Sequence, residues 1–271
     1  SHRRAPDRGR RDAMTADDLE ALSRREFGRL VALLTRRIGS SRIDIAEDAV
    51  QDAFAAAVRT WGAAPGPPRD PGAWLYRAAW NRVIDRLRRL EPDPLDDLNP
   101  DRLAAAPIAE DSTAGDAELE LILLCCHPAL TLDSQVALTL KVAAGFSVNE
   151  IGRLLGAEPD AVTQRLVRAK RALRGLGPGI ATRAPDPARA TAAVLEVLYA
   201  MFSEGYASIS APTGLRRDLC FEALRLVRTM LTDPATATAE GHALAALFAF
   251  HGSRLDSRYD DDGAFRTLRE Q

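Results

Sequence analysis

The segment at residues 145–174 reads GFSVNEIGRLLGAEPDAVTQRLVRAKRALR, which is typical of two short helices joined by a turn. Ser147 followed three residues later by Glu150 is a capping box, in which the hydroxyl and the carboxylate satisfy free amides at a helix start. Gly152 falls where two helices approach closely, and Gly156 supplies the positive φ that a turn requires. The spacing predicts a helix-turn-helix.

The second helix of this pair has a basic outward face. Pro159 fits its first turn, where a missing amide costs nothing, and Asp160 favours the positive end of the helix dipole. Apolar residues at helical spacing predict a buried stripe made of Val162, Leu166, Ala169 and Leu173. The side chains left outside have a composition that suits a DNA groove: Thr163, Gln164, Arg165, Arg168, Lys170 and Arg171.

Two readings of this segment stay open at this point. An ordinary amphipathic helix pair with a solvated basic face would produce the same pattern. A helix-turn-helix also does not distinguish an operator-binding repressor from other proteins that dock in a major groove. The rest of the chain has to discriminate between them.

Composition bounds the fold class and the compartment. The 271 residues allow about two domains, and their 46% hydrophobic but only 6% aromatic content favours cores of Ala, Leu and Val. This predicts an all-α fold. No apolar run approaches the length of about 18 residues that a membrane span needs, and no signal segment is visible. Three cysteines fit a reducing compartment, so we expect a cytoplasmic protein without membrane contact.

A first domain is expected at residues 19–90. Residues 1–18 have almost no apolar content and are expected to be disordered or a cloning remnant, with Met14 as the candidate natural start. Helical spacing predicts one helix up to Gly39 and another that opens near Asp44. The second helix has an apolar inward face and an acidic outward face, either solvated or facing a basic partner: Glu47, Asp48, Gln51 and Asp52.

A loop rich in proline and glycine leads into a basic helix. The predicted helix at residues 73–89 reads AWLYRAAWNRVIDRLRR and interleaves aromatic rings with arginines. Unpaired bases stack on such rings at roughly 1–3 kcal/mol each while guanidinium groups hold phosphates, so the helix suits single-stranded nucleic acid. Trp74 lies near the apolar stripe and is expected in the core. The side chains expected to make contact are Arg77, Trp80, Asn81 and Arg82.

The middle of the chain changes from an acidic segment to a second domain. Residues 91–120 are rich in Asp and Glu, which predicts a flexible tether, or simply a solubilising linker. The second domain is expected at residues 121–176, with a buttressing helix at 131–144 before the helix-turn-helix. The triplet Cys125, Cys126 and His127 lacks a second ligand pair at zinc spacing, so no metal is expected.

A third helical part follows a second linker. Residues 177–188 are rich in glycine and proline, and helical spacing predicts three helices within an extension at residues 189–271. Their number fits a small bundle or a fragment of a helical repeat. Their expected inward residues are Val194, Leu198, Met201 and Phe202, then Leu219, Ala223, Leu226, Val227 and Met230, then Leu244, Leu247 and Phe248.

In this order, the features resemble regions 2 and 4 of an extracytoplasmic-function (ECF) sigma factor of bacterial RNA polymerase. The resemblance covers about residues 19–176 and rests on AEDAVQDAF, the proline loop, the basic helix, the acidic linker and a helix-turn-helix ending QRLVRAKRALR. LCCHPALTLDSQVALTL, VLYAMFSEGYAS and LCFEALRLVR are similar to the subgroup that carries a C-terminal helical extension.

The resemblance implies a non-enzymatic subunit that needs no cofactor. Such a protein binds core RNA polymerase, recognises the −35 and −10 promoter elements and promotes promoter melting. The polymerase contact would fall on Asp48, Gln51 and Asp52. The non-template strand of the −10 element would meet Arg77, Trp80, Asn81, Arg82 and Arg86. The −35 duplex would meet Thr163, Gln164, Arg165, Val167, Arg168, Lys170 and Arg171.

Within the −35 set, the resemblance implies two kinds of DNA contact. Gln164 and Arg165 would read base edges, and Arg168 and Lys170 are better placed on phosphates. The recognition helix starts EPDAV, without the Ser or Thr cap common in the wider family, so its base preference cannot be borrowed. By analogy, the extension would regulate the protein by docking on the first two domains.

Two other classes of protein remain as alternatives. An operator-binding regulator of the response type would use the same helix-turn-helix as a dimer, but it leaves the aromatic helix around Trp80 unexplained. A helical adaptor would make the extension the active part and the basic faces incidental. No paired acid and base, nucleophile with base, or glycine-rich phosphate loop supports an enzyme.

Overall fold

The computed structural model describes residues 15–61, 66–90, 114–175, 187–207 and 217–255, together with residues 257, 258, 266, 267 and 269. All regular structure in these ranges is helical, which confirms the all-α prediction. The helices are α1 (Ala16–Ile38), α2 (Ile43–Trp61), α3 (Pro71–Leu90), α4 (Ala114–Cys125), α5 (Leu132–Val142), α6 (Val148–Leu155), α7 (Pro159–Gly175), α8 (Pro187–Tyr206), α9 (Arg217–Met230) and α10 (Ala239–Gly252).

The first three helices pack around a core of small and branched aliphatic residues. The Thr15 side chain accepts a hydrogen bond from the Asp18 amide, so a capping box starts α1. Gly39, at φ 91°, ends α1 and leads through a short 3-10 turn at Ser40–Arg42 into α2. α2 lies against both α1 and α3. The apolar residues that recur at helical spacing on α1 and α2 are buried: Leu22, Phe27, Leu30, Val31, Leu33, Leu34, Ala46, Ala49, Val50, Ala53, Phe54 and Ala57.

The helix-turn-helix of α6 and α7 forms as its local signals predict. The Ser147 hydroxyl accepts from the Glu150 amide at 3.2 Å, and a Glu150 carboxylate oxygen accepts from the Ser147 amide at 2.8 Å. Gly156 has a φ of 60°. A Cβ on Gly152 would lie 2.7 Å from the Ala157 carbonyl oxygen, so its close neighbour is the backbone of the turn. The buried residues of α7 are the predicted four: Val162, Leu166, Ala169 and Leu173.

The last three helices, α8 to α10, form a small bundle that packs on α4 and α5. α8 and α9 pack together, and the rings of Phe202 and Phe248 stack with centroids 4.3 Å apart. α8 also packs on α4 and α5, and α9 packs on α4. The predicted inward residues of α8 and α9 are buried. On α10 the prediction for Leu247 is wrong, because its side chain is 39% exposed.

The last part of the segment predicted as an acidic tether is helical. α4 begins at Ala114, and within the stretch assigned to the tether Ala117, Glu118 and Leu119 are buried. The reason is tertiary: α1, α8 and α9 supply the apolar surface that this segment lacks on its own. The expectations for residues 1–14, 91–113 and 177–186 lie outside the described residues. No helix in the described ranges is long and apolar enough to cross a membrane.

Candidate nucleic-acid interfaces

The outward face of α7 carries a row of exposed side chains. Because the buried stripe of α7 faces the rest of the fold, the opposite face is left open to solvent. Val167 is 56% exposed. The exposed members of the expected −35 set are Thr163, Gln164, Val167, Arg168 and Arg171.

Two polar members of that set already bond within the protein. The Arg165 guanidinium lies 3.5 Å from the Asp133 carboxylate at the start of α5, and its side chain is only 23% exposed. The Thr163 hydroxyl donates to the Pro159 carbonyl oxygen at 3.0 Å. These bonds hold both side chains close to the protein surface. Gln164 and Arg168 therefore have the freer access to a base edge or a phosphate.

Lys170 points away from the expected DNA face. Its ammonium group bonds the carboxylate of Glu47 on α2, and the Lys141 ammonium lies 3.6 Å from the same carboxylate. Glu47 is 2% exposed, so its predicted place on the acidic outer face of α2 is wrong. The amide of Gln51 donates to Glu47 at 2.8 Å. The physical reason is that a carboxylate is buried only when cations and donors compensate it, and α5 and α7 bring those cations.

A second ion pair extends the contact between α7 and α2. The Arg174 guanidinium lies 3.4 Å from the Asp44 carboxylate. Asp44 and Glu47 are three residues apart, and Lys170 and Arg174 are four apart, so each pair shares one face of its helix. The sequence carries that spacing, but nothing local to either helix indicates that the two faces meet.

On α3, the arginines and the aromatic rings separate onto different faces. Arg77, Asn81 and Arg82 are exposed, as expected for contact residues. Trp80 is 6% exposed, and the Arg37 guanidinium lies 4.5 Å from the centroid of its ring. The prediction that Trp80 lies outside for base stacking is therefore wrong. Its ring lies on the same helix face as buried Tyr76 and Val83, which α3 turns inward.

The other tryptophan of α3 lies at the edge of the core. Trp74 is half-buried, and its ring meets that of buried Trp61 edge-on, with centroids 5.0 Å apart. Edge-on pairs of this kind add to packing beyond the area that they bury. The expected core position of Trp74 thus holds in part.

Arg86 of the expected −10 set contacts Asp48 of the expected polymerase set. The guanidinium of Arg86 donates to the Asp48 carboxylate at 2.5 Å, and this hydrogen bond raises the pKa of Arg86. The Asp48 side chain is 47% exposed, and Gln51 and Asp52 are exposed beside it. The expected polymerase-binding face is therefore open in part, while Arg86 is turned toward α2.

The two cysteines of the Cys-Cys-His triplet lie in the core, and His127 is half-buried. Cys125 and Cys126 are buried, which raises the pKa of both thiols, to about 12 for Cys126. The His127 ring nitrogen Nδ1 accepts from the Ala129 amide at 3.1 Å. In the part of the chain that the structure describes, no group of three or more His, Cys, Asp or Glu residues could hold a metal ion.

Family models match three successive parts of the chain. The model of Sigma-70 region 2 matches residues 23–91, and that of Sigma-70 region 4 matches residues 120–173. A family of unknown function, DUF6596, matches residues 190–271. The first two models cover α1 to α3 and α5 to α7, which carry the two exposed basic faces.

Three relatives illustrate the similarity. An uncharacterised protein of Rhizobium meliloti is 37% identical over 237 residues, which is 84% of this chain and 56% of that protein. The ECF RNA polymerase sigma factor BldN of Streptomyces coelicolor is 32% identical over 137 residues, 49% of this chain and 51% of BldN. The RNA polymerase sigma factor CarQ of Myxococcus xanthus is 31% identical over 161 residues, 59% of this chain and 89% of CarQ.

The chain thus spans about half the length of the Rhizobium protein and of BldN, but most of CarQ. No solved structure matches it. Regions 2 and 4 occur in their usual order, and the alignment with a sigma factor extends over nearly the whole of that relative. The chain belongs to the ECF family of RNA polymerase sigma factors and carries an additional C-terminal DUF6596 region.

Proposed function

We propose that this protein is an alternative sigma factor that binds core RNA polymerase, recognises the −35 and −10 promoter elements and promotes promoter melting. The observation that carries the proposal is the presence of two separate exposed basic faces, on α3 and on α7, within matches to regions 2 and 4. Melting needs no catalytic group, because binding of the open strand offsets the cost of unpairing. The protein would act in the cytoplasm, with the polymerase.

The −35 contact is proposed for the exposed row of α7. Gln164 can bond a base edge, Val167 can contact a thymine methyl group, and Arg168 and Arg171 can hold phosphates. Arg165 would act from its place beside Asp133, 3.5 Å away. This assignment leaves Lys170 out, because Glu47 already binds it.

The −10 contact is proposed for Arg77, Asn81 and Arg82, which are exposed on α3. Their side chains offer charge for phosphates and amide groups for unstacked bases, as single-stranded binding requires. Trp80 would support this face from beneath instead of stacking on a base.

The polymerase contact is proposed for the acidic side of α2, at Asp48, Gln51 and Asp52. Two of these residues are exposed, and the carboxylates suit a basic surface on the partner. The extension is proposed to regulate the protein from its place on α4 and α5. The Arg225 guanidinium of α9 donates to the Glu118 carboxylate of α4 at 2.5 Å, which supports a firm attachment.

Run-off transcription with purified core polymerase tests the assignment of the two basic faces. We expect Asn81→Ala to reduce open-complex formation and Arg168→Ala to weaken the closed complex. Arg228→Ala is the control, because Arg228 is exposed on α9, away from both faces. An operator-binding regulator would instead bind a palindromic duplex without polymerase, and that result, with no association with core polymerase, would refute the proposal.

A further inference from the structure

The last helix, α10, exposes apolar side chains on the side that faces away from the bundle. Its inner side holds Gly241 and Phe248, which are buried where α10 packs on α8 and α9. On the outer side, Leu247 is 39% exposed and Phe250 is 57% exposed. Surface helices of globular proteins normally turn polar residues to that side. The outer side of α10 therefore suits burial against another protein surface.

The exposed residues follow the spacing by which one helix packs along another. Five residues recur at alternating intervals of three and four along this side, and together they form the outer seam: Glu240, Ala243, Leu247, Phe250 and Arg254. Such alternation lets two helices pack side by side over their length. The first four residues are exposed, and Arg254 is half-buried. Ser253 keeps helical dihedral angles after α10 ends (φ −63°, ψ −17°), so Arg254 continues the same side.

The outer seam is complementary to itself when two copies lie antiparallel. With the two-fold axis at Leu247, Ala243 of each copy lies opposite Phe250 of the other, so a small side chain faces a large one. Glu240 of each copy lies opposite Arg254 of the other, because both are seven residues from Leu247. A parallel pair would instead set Glu240 against Glu240 and Arg254 against Arg254, and like charges in contact are unfavourable.

The charges of the outer seam lie at its two ends. The Arg254 guanidinium lies 4.7 Å from the centroid of the Phe250 ring, so the cation and the large ring share one end. The sequence carries no Asp, Glu, Lys or Arg between Glu240 and Arg254. An acidic end, an apolar middle and a basic end match a second copy of the same surface in reversed direction.

We propose that the outer seam of α10 is the interface of a homodimer, in which two copies pair antiparallel about Leu247. The outer seam includes no residue of α3 or α7, so each copy keeps both proposed DNA faces. One pair of short helices makes a small interface, and we expect a reversible dimer that dissociates on dilution. The dimer goes beyond the sigma function and does not depend on it.

Sedimentation equilibrium of the full chain from about 5 to 200 µM, without polymerase or DNA, tests this proposal. We expect wild type to approach the mass of a dimer at the highest concentration and that of a monomer at the lowest. Leu247→Glu sets two carboxylates against each other at the axis and should keep the protein monomeric throughout. Leu132→Glu is the matched control, because Leu132 is 50% exposed at the start of α5, and it should dimerise like wild type. Circular dichroism establishes that each variant is folded.

Charge reversal tests the antiparallel arrangement. Glu240→Arg and Arg254→Glu each set like charges against each other, so each variant alone should dimerise about 10-fold more weakly than wild type. In an equimolar mixture, a Glu240→Arg chain can pair with an Arg254→Glu chain, and both pairs of facing charges are then opposite in sign. The mixture should therefore recover the dimerisation of wild type.

Three outcomes would overturn the proposal. A wild type that stays monomeric at the highest concentration would mean that the outer seam serves a different partner. A Leu247→Glu variant that dimerises like wild type would place the interface elsewhere. A mixture of the two charge variants that dimerises no better than either alone would refute the antiparallel pairing. The sigma function is tested separately by transcription and stands or falls without this result.

Discussion

Trp80 of α3 lies in the core that α1, α2 and α3 form together. Its ring is buried against α1, where Arg37 covers one face. Truncation of a buried aromatic side chain costs about 3–5 kcal/mol, because packing is lost and a cavity remains. We predict that Trp80→Ala lowers the free energy of unfolding by that order in urea denaturation. Asn81→Ala, at the exposed neighbouring position, should change it by less than about 0.5 kcal/mol, and equal effects would contradict the buried position.

The buried thiols give a second prediction at this scale. The raised pKa of Cys126, about 12, means that its reactive thiolate is scarce in the folded chain at pH 8. We expect iodoacetamide to modify Cys125, Cys126 and Cys220 slowly in the native protein and quickly in guanidinium chloride, as counted by mass spectrometry. Rapid labelling of the native chain would contradict their burial.

The same pKa also links the thiols to stability. The unfolded Cys126 thiol ionises near pH 8.5, whereas the folded one stays neutral to about pH 12. The burial of the neutral thiol is therefore fully favourable below about pH 8.5, and stability falls as the pH rises from there toward 12.

The burial of Glu47 could not be predicted from the sequence. Helical spacing predicts an acidic outward face on α2, and Gln51 and Asp52 are exposed there while Asp48 is exposed in part. The burial of Glu47 depends on Lys141 and Lys170, which lie on other helices far along the chain. A contact of that kind leaves no local pattern, so neither the buried carboxylate nor the withdrawn Lys170 could be predicted.

At the scale of helices, local capping signals are reliable because they act within one turn. The Thr15 and Ser147 capping boxes and the left-handed Gly156 stand where α1, α6 and the turn begin or end. Around the start of α4, Thr113 and Asp116 have the same spacing as Thr15 and Asp18, but the acidic composition around them predicts a tether. The surfaces of α1, α8 and α9 make this segment a buried helix.

The cap of α6 can be measured directly. Ser147→Ala removes a side chain that accepts from the Glu150 amide, and we expect it to cost about 1 kcal/mol and to speed amide exchange within α6. Thr131→Ala is the comparison variant: Thr131 precedes α5 without bonding a backbone amide of its first turn, and its hydroxyl donates to the Ser134 hydroxyl at 3.0 Å. A loss below about 0.5 kcal/mol for Ser147→Ala, with unchanged amide exchange in α6, would show that the capping box contributes little.

At the scale of the whole molecule, α4 forms ion pairs with both α1 and α9. The Glu120 carboxylate lies 3.4 Å from the Arg36 guanidinium of α1, and Glu118 bonds Arg225 of α9. α4 thus connects region 2 to the C-terminal extension, ahead of the helix-turn-helix. Removal of the extension would expose the faces of α4 and α5 that α8 covers. A point substitution at Arg225 loosens the attachment with less disturbance.

Arg225→Met tests this attachment. Burial raises the pKa of Glu118; Arg225 and Arg29 oppose the shift, and Glu222 adds to it. Without Arg225, the buried carboxylate loses its bonded cation and its pKa rises further. We expect a loss of about 1–3 kcal/mol at pH 8, because a buried charged group is left without its partner.

The loss should be smaller at pH 5 than at pH 8. A raised folded pKa means that folding favours the protonated carboxyl, so stability is retained at low pH and lost as the pH rises through the folded value. Thermal melts at both pH values measure the difference. Arg225 also donates to the Glu222 carboxylate at 2.7 Å. Adding Glu118→Gln to Arg225→Met removes the other carboxylate that Arg225 binds and should reduce this pH dependence, whereas Arg228→Met, at an exposed position on α9, should show none. An equal loss for Arg225→Met at both pH values would mean that Arg225 acts through packing alone.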